Sequence, residues 1–255
     1  MRKARPPFIS AIMLKRDSVP SFEEYPFCIP AIRNLRKLRI PSPVTFLVGE
    51  NGTGKSTLLE AIAVASGFNA EGGSKNFRFS TRPSHSGLHE YIRLVRPPGR
   101  PQDGYFLRAE SFYNVATAAE DKYGVLDAYG GRSLHEQSHG ESFMALVLHR
   151  LRGRGLYLFD EPEAALSPTR QMSLIAAMHG LVGQGSQFFV ATHSPILLGY
   201  PGATIYLFTD SAIAIVPYAE TEHYVITKGF LNNPERMLRE LLSDSSDEDP
   251  GGGTA

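Results

Sequence analysis

The chain has 255 residues, 42% hydrophobic and 20% charged, enough to bury a sizeable core in one or two domains. Its one cysteine, Cys28, excludes an internal disulfide framework, and no apolar stretch reaches the length that spans a bilayer. Net charge is zero but uneven: Lys and Arg outnumber Asp and Glu 17 to 8 up to Arg108, and are outnumbered 9 to 18 after it. A basic half can mark an anionic partner, and it equally suits solvated surface ahead of an acidic tail. The N-terminus is basic without the apolar region of a signal peptide, so a cytoplasmic protein is expected.

In chain order, Phe8 to Val19 reads as one or two strands, closed by Pro20. Residues 23–30 carry two prolines and read as a loop. Ile32, Leu35, Leu38 and Ile40 lie among Arg33, Arg36, Lys37 and Arg39, an amphipathic segment. Val44 to Val48 is a short apolar run, the pattern of a buried strand.

Gly49-Glu50-Asn51-Gly52-Thr53-Gly54-Lys55-Ser56-Thr57 follows and fits G-x-x-x-x-G-K-[ST] in full. Leu58, Leu59, Ile62 and Ala65 then recur at helical spacing until Gly67. Strand, glycine loop and helix are the parts of a phosphate cradle. Glycines let backbone N–H groups turn inward, and the helix N-terminus adds positive potential. The motif predicts Lys55 on the outer phosphates and the Ser56 hydroxyl on Mg²⁺, which makes ATP and Mg²⁺ the expected ligands.

From Phe68 to Gly104 glycines and prolines recur, so a loop or variable insertion is expected. His85 and His89 are four apart, but Pro and Gly around them argue against a shared metal site. Tyr105 to Ala109 reads as a strand ending at Glu110, and residues 111–128 as mostly helical. Gln137-Ser138-His139-Gly140-Glu141-Ser142 opens a helix whose apolar positions are Phe143, Leu146, Val147 and Leu151.

Leu156-Tyr157-Leu158-Phe159-Asp160-Glu161-Pro162-Glu163 is the second strong signal. Four consecutive apolar residues suit a parallel strand buried on both faces. It delivers two carboxylates to the sheet edge where such folds bind ligands. Ser167-Pro168 reads as N-cap and first helical residue, with Met172, Ile175, Met178 and Val182 as the apolar face. Gln187 to Ala191 is a further buried strand ending in Thr192-His193-Ser194-Pro195. Thr204 to Phe208 and Ala212 to Val216 form a hairpin, and Asn233-Pro234 caps a last helix to about Leu242.

ATP hydrolysis needs phosphate neutralisation, a metal ligand, an oriented water and a γ-phosphate sensor. Lys55 with residues 49–57, Ser56 with Asp160, Glu161 as general base and His193 as sensor are the candidates.

The ordered set, phosphate loop, Ser-x-Gly-Glu, Asp-Glu-Pro and Thr-His, resembles the ATP-binding-cassette (ABC) superfamily over residues 49–193. The motif forms are closer to small stand-alone AAA-type ATPases akin to RecF, SMC and overcoming-lysogenisation-defect heads than to the transporter signature Leu-Ser-Gly-Gly-Gln. The resemblance implies an α/β P-loop fold with a mostly parallel central sheet, an N-terminal antiparallel β portion and a small helical signature subdomain. It implies one ATPase domain over 1–242, with the helical or inserted part at about 68–152; the tail at 243–255 is acidic and Gly-rich and is expected to be disordered. The resemblance implies that Ser138 and Gly140 complete the nucleotide site of a second copy, so an ATP-dependent homodimer is expected. Ala164 to Ser167 match the D-loop, and Glu110 stands where the family has its Q-loop glutamine, a candidate Mg²⁺ ligand through water. Tyr25, Phe22 and Phe27 are candidates for stacking on adenine, or for the core. Two further readings are a transporter's nucleotide-binding subunit with a membrane-permease partner, and a DNA-linked repair or defence ATPase.

Overall fold

The computed structural model describes residues 8–74, 86–108 and 138–243. Glu110, Gln137, His85, the expected helix at 111–128 and the tail from 244 lie outside the described residues. The chain divides into two compact units, residues 1–216 and 217–255.

In the first unit, β1 (Ala11–Leu14) is followed by α1 (Pro30–Arg33), β2 (Lys37–Arg39) and β3 (Val44–Val48). Then come α2 (Lys55–Ala65), α3 (Leu88–Tyr91), β4 (Ile92–Val95) and β5 (Asp103–Arg108). Beyond the undescribed stretch run α4 (His139–Ala145), which continues as a π-helical turn over Leu146–Arg150, and β6 (Gly155–Asp160). α5 (Pro168–Gly183), β7 (Gln187–Ala191), α6 (Pro195–Leu198), β8 (Thr204–Phe208) and β9 (Ile213–Ile215) complete it.

The main sheet has six strands in the order β5-β6-β7-β3-β8-β9, parallel except for β9, which is antiparallel to β8. β3, β6 and β7 are buried at every position, which is why they read as continuous apolar runs. A second, antiparallel sheet has the order β2-β1-β4. α2 packs against β6 and β7 on one side and against α3 and β4 on the other. Leu58, Leu59, Ala61 and Ile62 on it are at most 1% exposed.

β4 and α3 correct the expectation of a loop between Phe68 and Gly104. Ile92 and Leu94 alternate with Arg93 and Val95 follows, but three apolar residues in a four-residue edge strand are too few to stand out beside so many prolines and arginines.

The face of α5 is also corrected. Gln171, Leu174, Met178 and Leu181 are buried, while Met172 is 56% exposed. A polar residue inside the stripe hid its phase: the Gln171 amide donates to the Leu166 carbonyl and its oxygen accepts from the Ser194 hydroxyl. Ser167 caps this helix as expected, accepting from Arg170 N.

The second unit contains α7 (Glu222–Asn232) and α8 (Pro234–Ser243). α8 matches expectation, with the Asn233 side chain accepting from Arg236 N. α7 was not foreseen from the sequence. Val225, Ile226, Thr227 and Gly229 are weak helix formers, and the readable signal was the Thr221 cap, which accepts from Tyr224 N.

Candidate functional site

Strand register gathers the motif residues. Leu47 pairs with Ala191, Ala191 with Asp160, and Asp160 with Arg108. The carboxyl ends of four adjacent parallel strands therefore share one edge, where open α/β sheets place ligands. Two further bonds lock the exits: Thr192 N donates to the Leu47 carbonyl and Glu161 N to that of Ala191.

Gly49 leaves β3 at φ 140°, and a Cβ there would collide with the Phe208 carbonyl oxygen of β8. No L side chain fits that turn. Gly52 and Gly54 also have positive φ, 81° and 95°. Asn51 lies exposed at the loop's tip, and Thr53 ties the loop to itself through a 2.8 Å bond to the Glu50 carbonyl. Lys55 opens α2 and is 4% exposed; its ammonium donates to the Gly49 and Glu50 carbonyls, each at 2.7 Å. Burial lowers its pKa, and the nearby carboxylates of Glu161, Asp160, Glu163 and Glu50 oppose that shift.

The Ser56 hydroxyl donates to Asp160 Oδ1 at 2.9 Å. Among the described residues no cluster of three or more His, Cys, Asp or Glu could hold a metal. A hydroxyl beside one carboxylate suits Mg²⁺, which takes few protein ligands and completes its shell with phosphate oxygens and water.

Glu161 has φ 50°, a left-handed backbone that costs a non-glycine residue about 1–3 kcal/mol. Its Oε1 stands 3.8 Å from His193 Nε2, bringing candidate base and candidate sensor together from two strand ends. Burial holds the His193 imidazole below its usual pKa, Lys55 reinforces this, and Glu161 opposes it. The neutral ring is the favoured form there.

Three residues around these motifs escaped the sequence reading, two of them at this edge and one beside the Ser138 loop. Glu163 accepts from the Thr192 hydroxyl at 2.7 Å and from His193 N at 2.5 Å. Its position two after Glu161 was the available signal. Arg108, at the end of β5, donates to Glu60 Oε2 at 2.8 Å and lies 3.7 Å from Asp160 Oδ2. Arg170, in the first turn of α5, lies 3.4 Å from both the Ser138 hydroxyl and the Glu141 carboxylate.

Ser138 and Glu141 form a capping box at the start of α4. Glu141 Oε2 accepts from Ser138 N at 3.0 Å and from the Ser138 hydroxyl at 2.7 Å. These bonds hold the Glu141 carboxyl below its usual pKa, helped by Arg170. Phe143 of α4 packs edge-on against Phe159 of β6, at 6.2 Å between ring centres, which docks the Ser138 segment beside the strand that carries Asp160.

Of the three aromatics considered for adenine, Phe27 is buried against Tyr91 and Phe22, and Phe22 also lies under the Arg16 guanidinium. Tyr25 is 65% exposed, with its hydroxyl 3.5 Å from Thr57 Oγ1.

Two family models match separate parts of the chain. One, described as "AAA domain, putative AbiEii toxin, Type IV TA system", covers residues 122–199, and one described as "AAA domain" covers residues 27–102. A curated relative, the nucleoside import ATP-binding protein NupA of Lactococcus lactis subsp. cremoris, is 24% identical over 165 residues, 58% of this chain. The chain is similar to AAA domains and to a protein named for ATP binding. It spans 32% of NupA's length. Among solved structures, cbiO1 of Clostridium perfringens, part of the cbiONQ ABC transporter complex, aligns with TM-score 0.45 and 16% identity over 82% of this chain and 91% of that one. The SMC head domain of Thermotoga maritima aligns with TM-score 0.43 and 17% identity over 82% and 98%.

No helix among the described residues is long and apolar enough to cross a membrane.

Proposed function

We propose that this ABC-class domain binds Mg-ATP and hydrolyses it to ADP and phosphate, and that two copies close on two nucleotides in an ATP-dependent homodimer. The reading is carried by one juxtaposition: the Ser56 hydroxyl lies against Asp160, with the buried Lys55 and the Glu161–His193 pair at the same sheet edge. Backbone N–H groups of residues 49–57 would cradle the phosphates, and Lys55 would exchange its loop carbonyls for phosphate oxygens. Ser56 and Asp160 would hold Mg²⁺, which would supply charge neutralisation. Glu161 would take a proton from the attacking water as general base, and His193 would donate to the γ-phosphate. Tyr25 is the aromatic open to the adenine ring. Ser138 and Gly140 would close the site of the second copy. Glu110 remains a proposed water-mediated Mg²⁺ contact.

Turnover of Mg-ATP by the purified chain, with Lys55→Ala and Glu161→Gln as controls, tests this. Loss of nucleotide binding in the first and loss of hydrolysis with binding retained in the second are the expected results.

Two settings for that cycle each have an observation in favour. NupA is by its name an import ATP-binding protein, which supports a transporter subunit peripheral to a membrane permease. On the β2-β1-β4 sheet, Lys37 and Arg93 pair across Met13, and Arg39 pairs with Ala11. All three basic residues are exposed, which supports a DNA-linked role. Salt-sensitive DNA binding that weakens on charge removal would favour the second.

A further inference from the structure

Glu141 poses an electrostatic problem for the dimer. Its carboxylate oxygen is 2.7 Å from the Ser138 hydroxyl, the group that would meet the γ-phosphate of a second copy. An incoming triphosphate would face that carboxylate, and juxtaposed like charges oppose association strongly. Arg170 stands at the same point. One guanidinium nitrogen is 3.4 Å from the Ser138 hydroxyl and the other 3.4 Å from Glu141 Oε1. The guanidinium lies on Gly140: a Cβ there would collide with Arg170 Nη1 and come within 2.8 Å of the Ala165 carbonyl. Gly140 is thus the residue that lets the arginine reach the loop, and α5 supplies the arginine from just beyond the D-loop residues. The Arg170 side chain is 35% exposed, so its charge stays open toward whatever docks on Ser138.

We propose that Arg170 is the counter-charge that enables this Glu-bearing signature loop to accept a triphosphate from a second copy of the chain. It acts through Glu141, as a positioning residue. The proposal rests on the ATP-dependent dimer above.

The test uses the full chain in the Glu161→Gln background, with dimer formation followed by sedimentation against Mg-ATP concentration. Arg170→Ala should weaken the ATP-dependent dimer about ten-fold or more. Affinity of the monomer for a fluorescent ATP analogue and the melting temperature should stay near those of the parent. Glu141→Gln added to Arg170→Ala should restore the dimer, because glutamine keeps the capping box without the charge. Arg170→Lys should retain most of it. A Glu161→Gln protein that stays monomeric at saturating Mg-ATP would overturn the dimer and this proposal together. A dimer indifferent to Arg170→Ala, or one that Glu141→Gln fails to restore, would overturn the proposal alone.

Discussion

The hydroxyl of Ser56 and the carboxylate of Asp160 meet at 2.9 Å, although 104 residues of sequence separate them. The parallel order β6-β7-β3 and its register create that contact, and it is the frame of the proposed metal site. Asp160→Asn should therefore weaken Mg²⁺-dependent ATP affinity roughly 10–100-fold, the usual cost of losing a group that supports a metal site. Affinity for ATP in EDTA should change little. Titrations with and without Mg²⁺ check this.

Glu161 holds a left-handed backbone beside His193. Strain of this kind clusters at active sites, ligand clamps and switch regions. Glu161→Gly should leave stability unchanged or raise it by up to about 1 kcal/mol, since glycine adopts that backbone freely while losing more chain entropy on folding. ATP turnover should fall by roughly 10²–10⁴ with loss of the proposed base. Thermal melts and steady-state assays read the two effects separately. A variant less stable by several kcal/mol would contradict the strain argument.

Gly49→Ala should destabilise the protein by about 1–3 kcal/mol or more, because the added carbon meets the Phe208 carbonyl at a φ reserved for glycine. Chemical denaturation measures it. Gly67→Ala serves as a comparison: its φ is 88°, but nothing lies within 4 Å of the added carbon, so only the backbone strain remains and the loss should be smaller.

How far the sequence revealed this site depended on how local each signal was. The phosphate loop, the Asp160-Glu161 pair and the Thr192-His193 exit each follow an apolar run buried on both faces, so β3, β6 and β7 were readable residue by residue. Glu163, Arg108 and Arg170 were not, because their partners lie 29, 48 and 32 residues away, and only Glu163, two residues after Glu161, has a local signal beside it. β4 was hidden by the prolines and arginines around it, and the inward side of α5 by Gln171, a polar residue buried because two hydrogen bonds satisfy it.

Glu163 also carries a pH signature. Burial raises its carboxyl above the ordinary value of 4.5, and the bonds from His193 N and the Thr192 hydroxyl oppose that shift. The folded state then binds this proton more tightly than the unfolded chain does. Its contribution to stability is fully present below pH 4.5 and is lost as pH rises through the folded value. Glu163→Gln has no such proton to lose. Its melting temperature relative to the parent should therefore be higher at pH 8 than at pH 4, as calorimetry at both values would show. A relative gain at pH 4 instead would contradict the assignment.

The most direct test of the whole account is nucleotide retention. Glu161→Gln protein is incubated with labelled Mg-ATP, separated from free nucleotide, and the bound label identified. About one unhydrolysed ATP per chain should be retained, and none when Lys55→Ala is added. Empty protein, or label released as ADP at the parent's rate, would contradict the convergence of Lys55, Asp160, Glu161 and His193 on one triphosphate.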